Sequence, residues 1–232
     1  MFIIATRWFK SNEYGADVLN MSLLQGTLQY FLQNQPAFWQ ALRQHLVLSL
    51  SALAIGGAVS LPLGIWIAHR ATIAQVVINI FNAVRVLPSL AILFLVLPYL
   101  GIGFLPSLVA LTALAFPPVL INTYAGLRGV DPAVIEAAYG MGMDRLQVLR
   151  QVEIPLAVPT ILAGVRTAAV EVISSATLAS FIGGGGLGDF ITRGFALFEV
   201  PIMLVGAIPV AILALISEML LSSVQRLYRV PE

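Results

Sequence analysis

The chain has 232 residues, 59% of them hydrophobic and 10% charged, with a mean hydropathy of +0.94. Soluble domains carry about 25% charged residues, so this composition excludes an ordinary soluble domain and points to a polytopic, all-α membrane protein. A net charge of +1 without a basic patch leaves no footprint for nucleic acid, and zero cysteines remove disulfides and thiolate metal sites.

Lys10 is the only lysine and follows no glycine run, so the chain has no Walker lysine with which to hold nucleotide. His45 and His69 fall at opposite ends of one predicted span and share no metal. No clustered acid–base set at one depth marks a membrane enzyme.

Residues 1–20 carry little pattern. Phe2–Ala5 is too short for a signal-peptide core, which takes about 7–15 apolar residues, and Met21 stands beside Met1 as a candidate start. From Ser22 to Leu42, Leu24, Leu28, Phe31, Leu32, Phe38, Trp39 and Leu42 sit among polar Gln and Asn. That pattern predicts a pair of interfacial helices parted at Pro36. Residues 1–44 are thus expected to be a tail with interfacial helices, and 45–230 the transmembrane domain.

Five apolar blocks follow, near 46–68, 76–100, 104–126, 157–182 and 200–224, each reaching or exceeding the ~20 residues that cross a bilayer. In the second, Asn79, Asn82 and Arg85 precede Val86-Leu87-Pro88-Ser89-Leu90, and Pro88 is expected to kink or break the helix. Gly101-Ile102-Gly103 makes an uncharged turn, with Pro106 soon after. The third block contains Phe116-Pro117-Pro118 and, one turn on, Asn122.

The stretch Asp131–Pro155 is the one long charged run between apolar blocks. Asp131 before Pro132 is a helix opening: the carboxylate caps orphan N–H groups and Pro suits the first turn. Val134, Ala137, Ala138 and Met141 recur at i, i+3, i+4 and i+7 as one small-residue stripe. Gly140 and Gly142 break that helix, Asp144 caps a second with Leu146 and Leu149 on one side, and Pro155 is expected to end the run. Such a pair of short helices forms a plug for another protein's groove, because alanines let the backbone come close.

The fourth block carries Glu171 near its middle, where an ionisable group costs at least ~2.5–3.5 kcal/mol unless it faces protein or water. Thr167, Ser174 and Ser175 are its i−4, i+3 and i+4 neighbours, a polar stripe on one face. Two readings stand: the stripe lines a water-filled path or an inter-subunit seam with Arg85 as the cation for Glu171, or Glu171 is a structural hydrogen-bonding group. Arg166, nearer the end of the block, can snorkel toward headgroups. Gly183, Gly184, Gly185, Gly186 and Gly188 then give a backbone free to turn sharply and approach a neighbour. They form either an outer gate and docking rim or a plain tight connection. The last block contains Pro209 and Glu218 and ends in Gln225-Arg226-Leu227-Tyr228-Arg229.

If the Asp131–Pro155 loop is cytoplasmic, the inner flanks hold Arg70, Arg128, Arg145, Arg150, Arg226 and Arg229. The outer flanks hold Arg7, Lys10, Arg43 and Arg193. That bias places the N-terminus outside and the C-terminus inside.

Glu136-Ala137-Ala138, three residues, Gly142, nine residues, then Val152-Glu153-Ile154-Pro155 resembles the EAA loop of permease subunits of ABC importers. Val152 and Ile154 depart mildly from the commoner Ile and Leu. The Pro88-Ser89-Leu90 stretch and the Phe-Ile-Gly-rich-Leu-Gly segment ending at Gly188 resemble the osmoprotectant permeases, the glycine betaine, carnitine and choline group. Together the resemblance covers about residues 40–225. It implies a type I importer permease fold in a bacterial cytoplasmic (inner) membrane, with the EAA coupling loop spanning 127–156. Asp131, Pro132, Glu136, Ala137, Ala138, Gly140, Gly142, Asp144 and Pro155 would couple to an ATPase. Arg85, Pro88, Ser89, Asn122, Glu171, Ser174 and Ser175 would lie along the path.

The implied partners are a cytoplasmic ABC ATPase dimer, a second permease chain (identical or related), an external or periplasmic solute-binding protein and membrane lipid. ATP and Mg would sit on the ATPase and no cofactor on this chain. Alternatives are a permease of the same fold for methionine or a sulfonate, a stand-alone channel, or a membrane enzyme.

Overall fold

The computed structural model describes the backbone of residues 12–228, and the side chains from Ser22 to Tyr228 except Ala71. Expectations about Phe2–Ala5, Arg7, Lys10, Arg229 and the choice between Met1 and Met21 lie outside those residues. Among the described residues every regular element is helical: α1 (Asn12–Gln33), α2 (Gln35–Ala68), α3 (Ala71–Val86), α4 (Ser89–Leu100), α5 (Phe104–Arg128), α6 (Pro132–Gly140), α7 (Arg145–Val148), a π turn (Leu149–Glu153), α8 (Ile154–Ser175), a 3-10 segment (Ala176–Ile182), α9 (Gly188–Leu197) and α10 (Val200–Leu227).

Among the described residues four stretches are long and apolar enough to cross a membrane, Gln35–Ala68, Phe104–Arg128, Arg145–Ile182 and Val200–Leu227. The expected second span supplies a fifth only if α3 and α4 count as one, because the two helices meet at 98°. The break falls where Pro88 requires it. Leu87, the residue before the proline, is extended at φ −68°, ψ 131°, since the ring disfavours helical geometry one residue upstream.

Two expectations need correction. The interfacial pair parted at Pro36 is instead one helix, α1, followed by the start of the first long span. Pro36 sits in the first turn of α2, where a missing N–H costs nothing, so Phe38, Trp39 and Leu42 belong to the spanning helix. Pro155 does not end the loop's second helix either. It lies in the first turn of α8, and helix continues from Arg145 to Ile182 through the π turn at Leu149–Glu153. A widened turn just before a proline accommodates a residue that has no N–H to close the usual bond.

The centre is a row of three helices, α2 against α5 against α8, held close by small residues. A Cβ added at Gly56 would stand 2.6 Å from that of Ala115, and one at Gly64 would stand 2.7 Å from that of Thr123. Gly126 meets Ala157 and Gly164 meets Asn122 across the other seam. In lipid, where apolar surface gives helices little reason to associate, such close backbone approach supplies the packing energy. Leu48, Ala52, Leu93, Leu111, Ala115, Val119, Val172 and Ile182 form the main core. A second cluster, Phe38, Leu187, Phe190, Ile202 and Val205, joins α2, α9 and α10. Buried hydroxyls of Ser49, Ser107 and Thr123 donate to carbonyls one turn back in their own helices, so they cost little.

Candidate functional site: a capped double helix between two spans

The loop between α5 and α8 folds as its residues require. The Asp131 carboxylate accepts from the Ala133 N–H at 2.8 Å and Pro132 occupies the first position of α6. Asp144 accepts from the Leu146 and Gln147 N–H groups, and the Gln147 side chain accepts from the Asp144 N–H, a complete capping box. Between the helices Gly142 stands at φ +87°, the left-handed region where other residues are strained.

One face of α6 is unoccupied. Ala138 is buried against the chain, whereas Val134 is 42% and Met141 76% exposed, and Glu136, Ala137 and Gly140 lie open beside them. A face with its backbone near the surface, capped by Asp131 at its start and turned at Gly142 at its end, can receive a partner at close range.

Behind α6 is a hollow of about 530 Å³ lined by His69, Arg128, Glu136, Tyr139 and Glu153 among others. Here the structure joins two residues that the sequence did not single out. His69 Nε2 lies 2.9 Å from Glu153 Oε2, with Glu153 buried and His69 half exposed. The sequence signal was present, a carboxylate in the variable position of an otherwise apolar motif ending, but nothing local named its partner 84 residues away. Because His69 follows the last residue of α2, the loop and the C-terminal end of the first long span lie at the same end of the molecule.

The opposite end of α2 meets the glycine run. Gln44 donates to the Gly184 carbonyl at 3.0 Å, and His45 Nε2 donates to the Ile173 carbonyl at 3.1 Å. Gly183, Gly185 and Gly186 all have φ between +71° and +90°. Side chains at Gly184, Gly185 and Gly188 would collide with Ser107, Gln44 and the Thr177 carbonyl. Each of those glycines is required by a turn or a close approach.

The polar residues of the spans fall in separate places. Glu171 is half-buried on α8, and Thr167 and Ser174 on the same face are exposed, with Ser175 partly so. Arg85 and Glu171 do not form an ion pair. Among the described residues Arg166 and Glu218 form an ion pair at 3.3 Å, and His69–Glu153 is a hydrogen-bonded pair. Arg166 therefore ties α8 to α10 rather than simply snorkelling. Pro88 is exposed and Ser89 partly buried at the α3–α4 break. Asn122 spends its side-chain donor on the Pro118 carbonyl at 2.8 Å, one turn back.

Residues 60–230 match the family described as the binding-protein-dependent transport system inner membrane component. The chain belongs to this family. It is a permease subunit of an ABC importer, a multi-pass membrane protein. The permease is 48% identical over 182 residues to the carnitine transport permease protein OpuCB of Listeria monocytogenes, covering 78% of this chain and 84% of that one. It is 45% identical over 183 residues to the glycine betaine/carnitine/choline transport system permease protein OpuCB of Bacillus subtilis, covering 79% and 84%. Among solved structures it resembles an inward-facing MetNI methionine ABC transporter, with a TM-score of 0.77 at 20% identity over 85% of this chain and 99% of that one. That likeness carries the type I importer permease fold.

Proposed function

We propose that this permease lines the pathway of an ATP-driven importer for a quaternary-amine osmoprotectant such as glycine betaine, carnitine or choline. The substrate class follows from what the two similar permeases are named for transporting. The single structural observation behind the coupling mechanism is the open face of α6, fixed by the Asp131 cap at its start and by the turn at Gly142 at its end, with Asp144 capping α7 beyond.

In this reading the permease domain expected over 45–230 begins earlier, with α2 at Gln35, and 127–156 is its coupling loop. Asp131, Pro132, Glu136, Ala137, Gly140, Gly142 and Asp144 present the loop to one subunit of a cytoplasmic ATPase dimer, which holds ATP and Mg, while buried Ala138 seats α6 on the permease. Pro155, at the foot of α8, passes its displacement directly into that span. A second permease chain completes the path, and an external binding protein delivers the solute near the glycine run. The N-terminus lies outside and the C-terminus inside. The exposed polar stripe of Thr167, Glu171 and Ser174 then faces the path or the second chain, since an ionisable group at that depth is tolerated there and not in lipid.

The test is uptake by proteoliposomes holding this chain with its ATPase and binding protein. The expected result is ATP-dependent accumulation of labelled glycine betaine, competed by carnitine or choline. Accumulation of methionine or an alkyl sulfonate instead would overturn the substrate class. Flux without nucleotide would overturn the coupling reading in favour of a channel.

A further inference from the structure

The coupling loop is joined covalently to α5 at one end and α8 at the other, and no stretch of backbone leads from it to α2. Apolar packing of Leu149 and Ile154 about Ala68 and Ile65 brings the loop against the end of α2, and the His69–Glu153 pair adds a polar bond to that contact. Glu153 is the last residue of the π turn, at the foot of α8, and its carboxylate reaches the imidazole that closes α2.

The geometry on both sides of the imidazole is defined. Nδ1 lies 3.0 Å from the Ile65 carbonyl oxygen, which only accepts, so Nδ1 carries a proton. Nε2 and the Glu153 oxygen then share one further proton across 2.9 Å. The ring is thus held to its own helix on one edge and to the π turn on the other. Tyr139 of α6 and Arg145 of α7 line the space next to the pair, so both coupling helices border it.

A π turn inside an α-helix is frequently found at a functional site. Here the residue that closes it is a buried acid, and a buried acid stripped of its partner is costly. Movement of the turn must therefore carry the end of α2 along or break the pair. We propose that His69 and Glu153 form a positioning strut that delivers displacement of the coupling helices to the first long span as well as to α8. This inference rests on the coupling reading above and adds a second route of transmission to it.

The experiment uses the complete transporter, this chain with its ATPase and binding protein, in proteoliposomes. It measures labelled glycine betaine imported per ATP hydrolysed. His69→Ala is expected to lower that ratio by about threefold or more, the scale on which residues along a coupling route act. His69→Gln keeps an N–H for the carboxylate and should recover most of the loss, a rescue that a role in bulk packing would not show. Glu153→Ala should match His69→Ala, and the double variant should be no worse than either. A ratio in His69→Ala equal to that of the unaltered chain would overturn the strut. So would failure of both alanine variants to assemble with the ATPase when His69→Gln does not restore assembly, because the pair would then serve folding alone. If the unaltered complex hydrolyses ATP without uptake, the importer reading itself fails. Normal uptake beside an equally efficient His69→Ala contradicts only the strut.

Discussion

Gly164 of α8 faces Asn122 of α5 so closely that a methyl group on the glycine would stand 2.5 Å from the Asn122 Cβ and 2.5 Å from the Pro118 carbonyl oxygen. The same carbonyl accepts from the Asn122 side chain, so neither neighbour is free to withdraw. Gly164→Val should therefore destabilise the permease by at least about 1–3 kcal/mol, the usual cost of overpacking. Thermal unfolding in detergent checks this. Gly57→Ala is the control: that position has open space around it, and Ala is better in a helix by roughly 0.5–1 kcal/mol. An unfolding midpoint for Gly164→Val equal to that of the control would contradict the tight seam.

Asp144 holds two N–H groups at the start of α7 and receives the reciprocal bond from Gln147. Asp144→Ala should loosen the second coupling helix by about 1 kcal/mol. Faster amide hydrogen exchange over residues 145–148, with little change in the long spans, is the expected signature. Exchange unchanged across that segment would mean that the π turn and α8 hold the helix without its cap.

Glu136→Lys replaces an exposed acid at the rim of the hollow beside α6 with a cation, and Gly142→Asp puts a side chain where φ is +87° at a cost of about 1–2 kcal/mol. Both variants are expected to reach the membrane and yet lose ATP-driven uptake, with the ATPase no longer co-purifying. Uptake at the unaltered level would refute the assignment of this loop to coupling.

Glu171→Ala is expected to impair transport or association with the second permease chain. The carboxylate sits partly buried beside exposed Thr167 and Ser174 and makes no ion pair among the described residues. Transport and assembly both unchanged would leave Glu171 a structural group. Measuring the two separately distinguishes a path residue from a seam residue.

What the chain order determined by itself was everything governed by neighbours within a few residues. Composition and run length made the protein a set of apolar helices. Asp131-Pro132 and Asp144 announced helix openings because capping is decided within three positions. Pro88 announced a break, although its 98° angle depends on the packing of α3 and α4 against the body.

Pro155 shows where local rules stopped. A proline reads as a terminator, yet the same residue is harmless in a first turn, and the π turn upstream of it allowed the helix to run on. Pro36 misled for the same reason. The His69–Glu153 and Arg166–Glu218 pairs could not be read at all, because choosing a partner for a charge requires knowing which helix ends share a depth. That is set by the small-residue seams between α2, α5 and α8, where Gly56, Gly64, Gly126 and Gly164 fix how the helices slide against one another. Local chemistry wrote the helices and their caps; only close packing of distant glycines decided which charges meet.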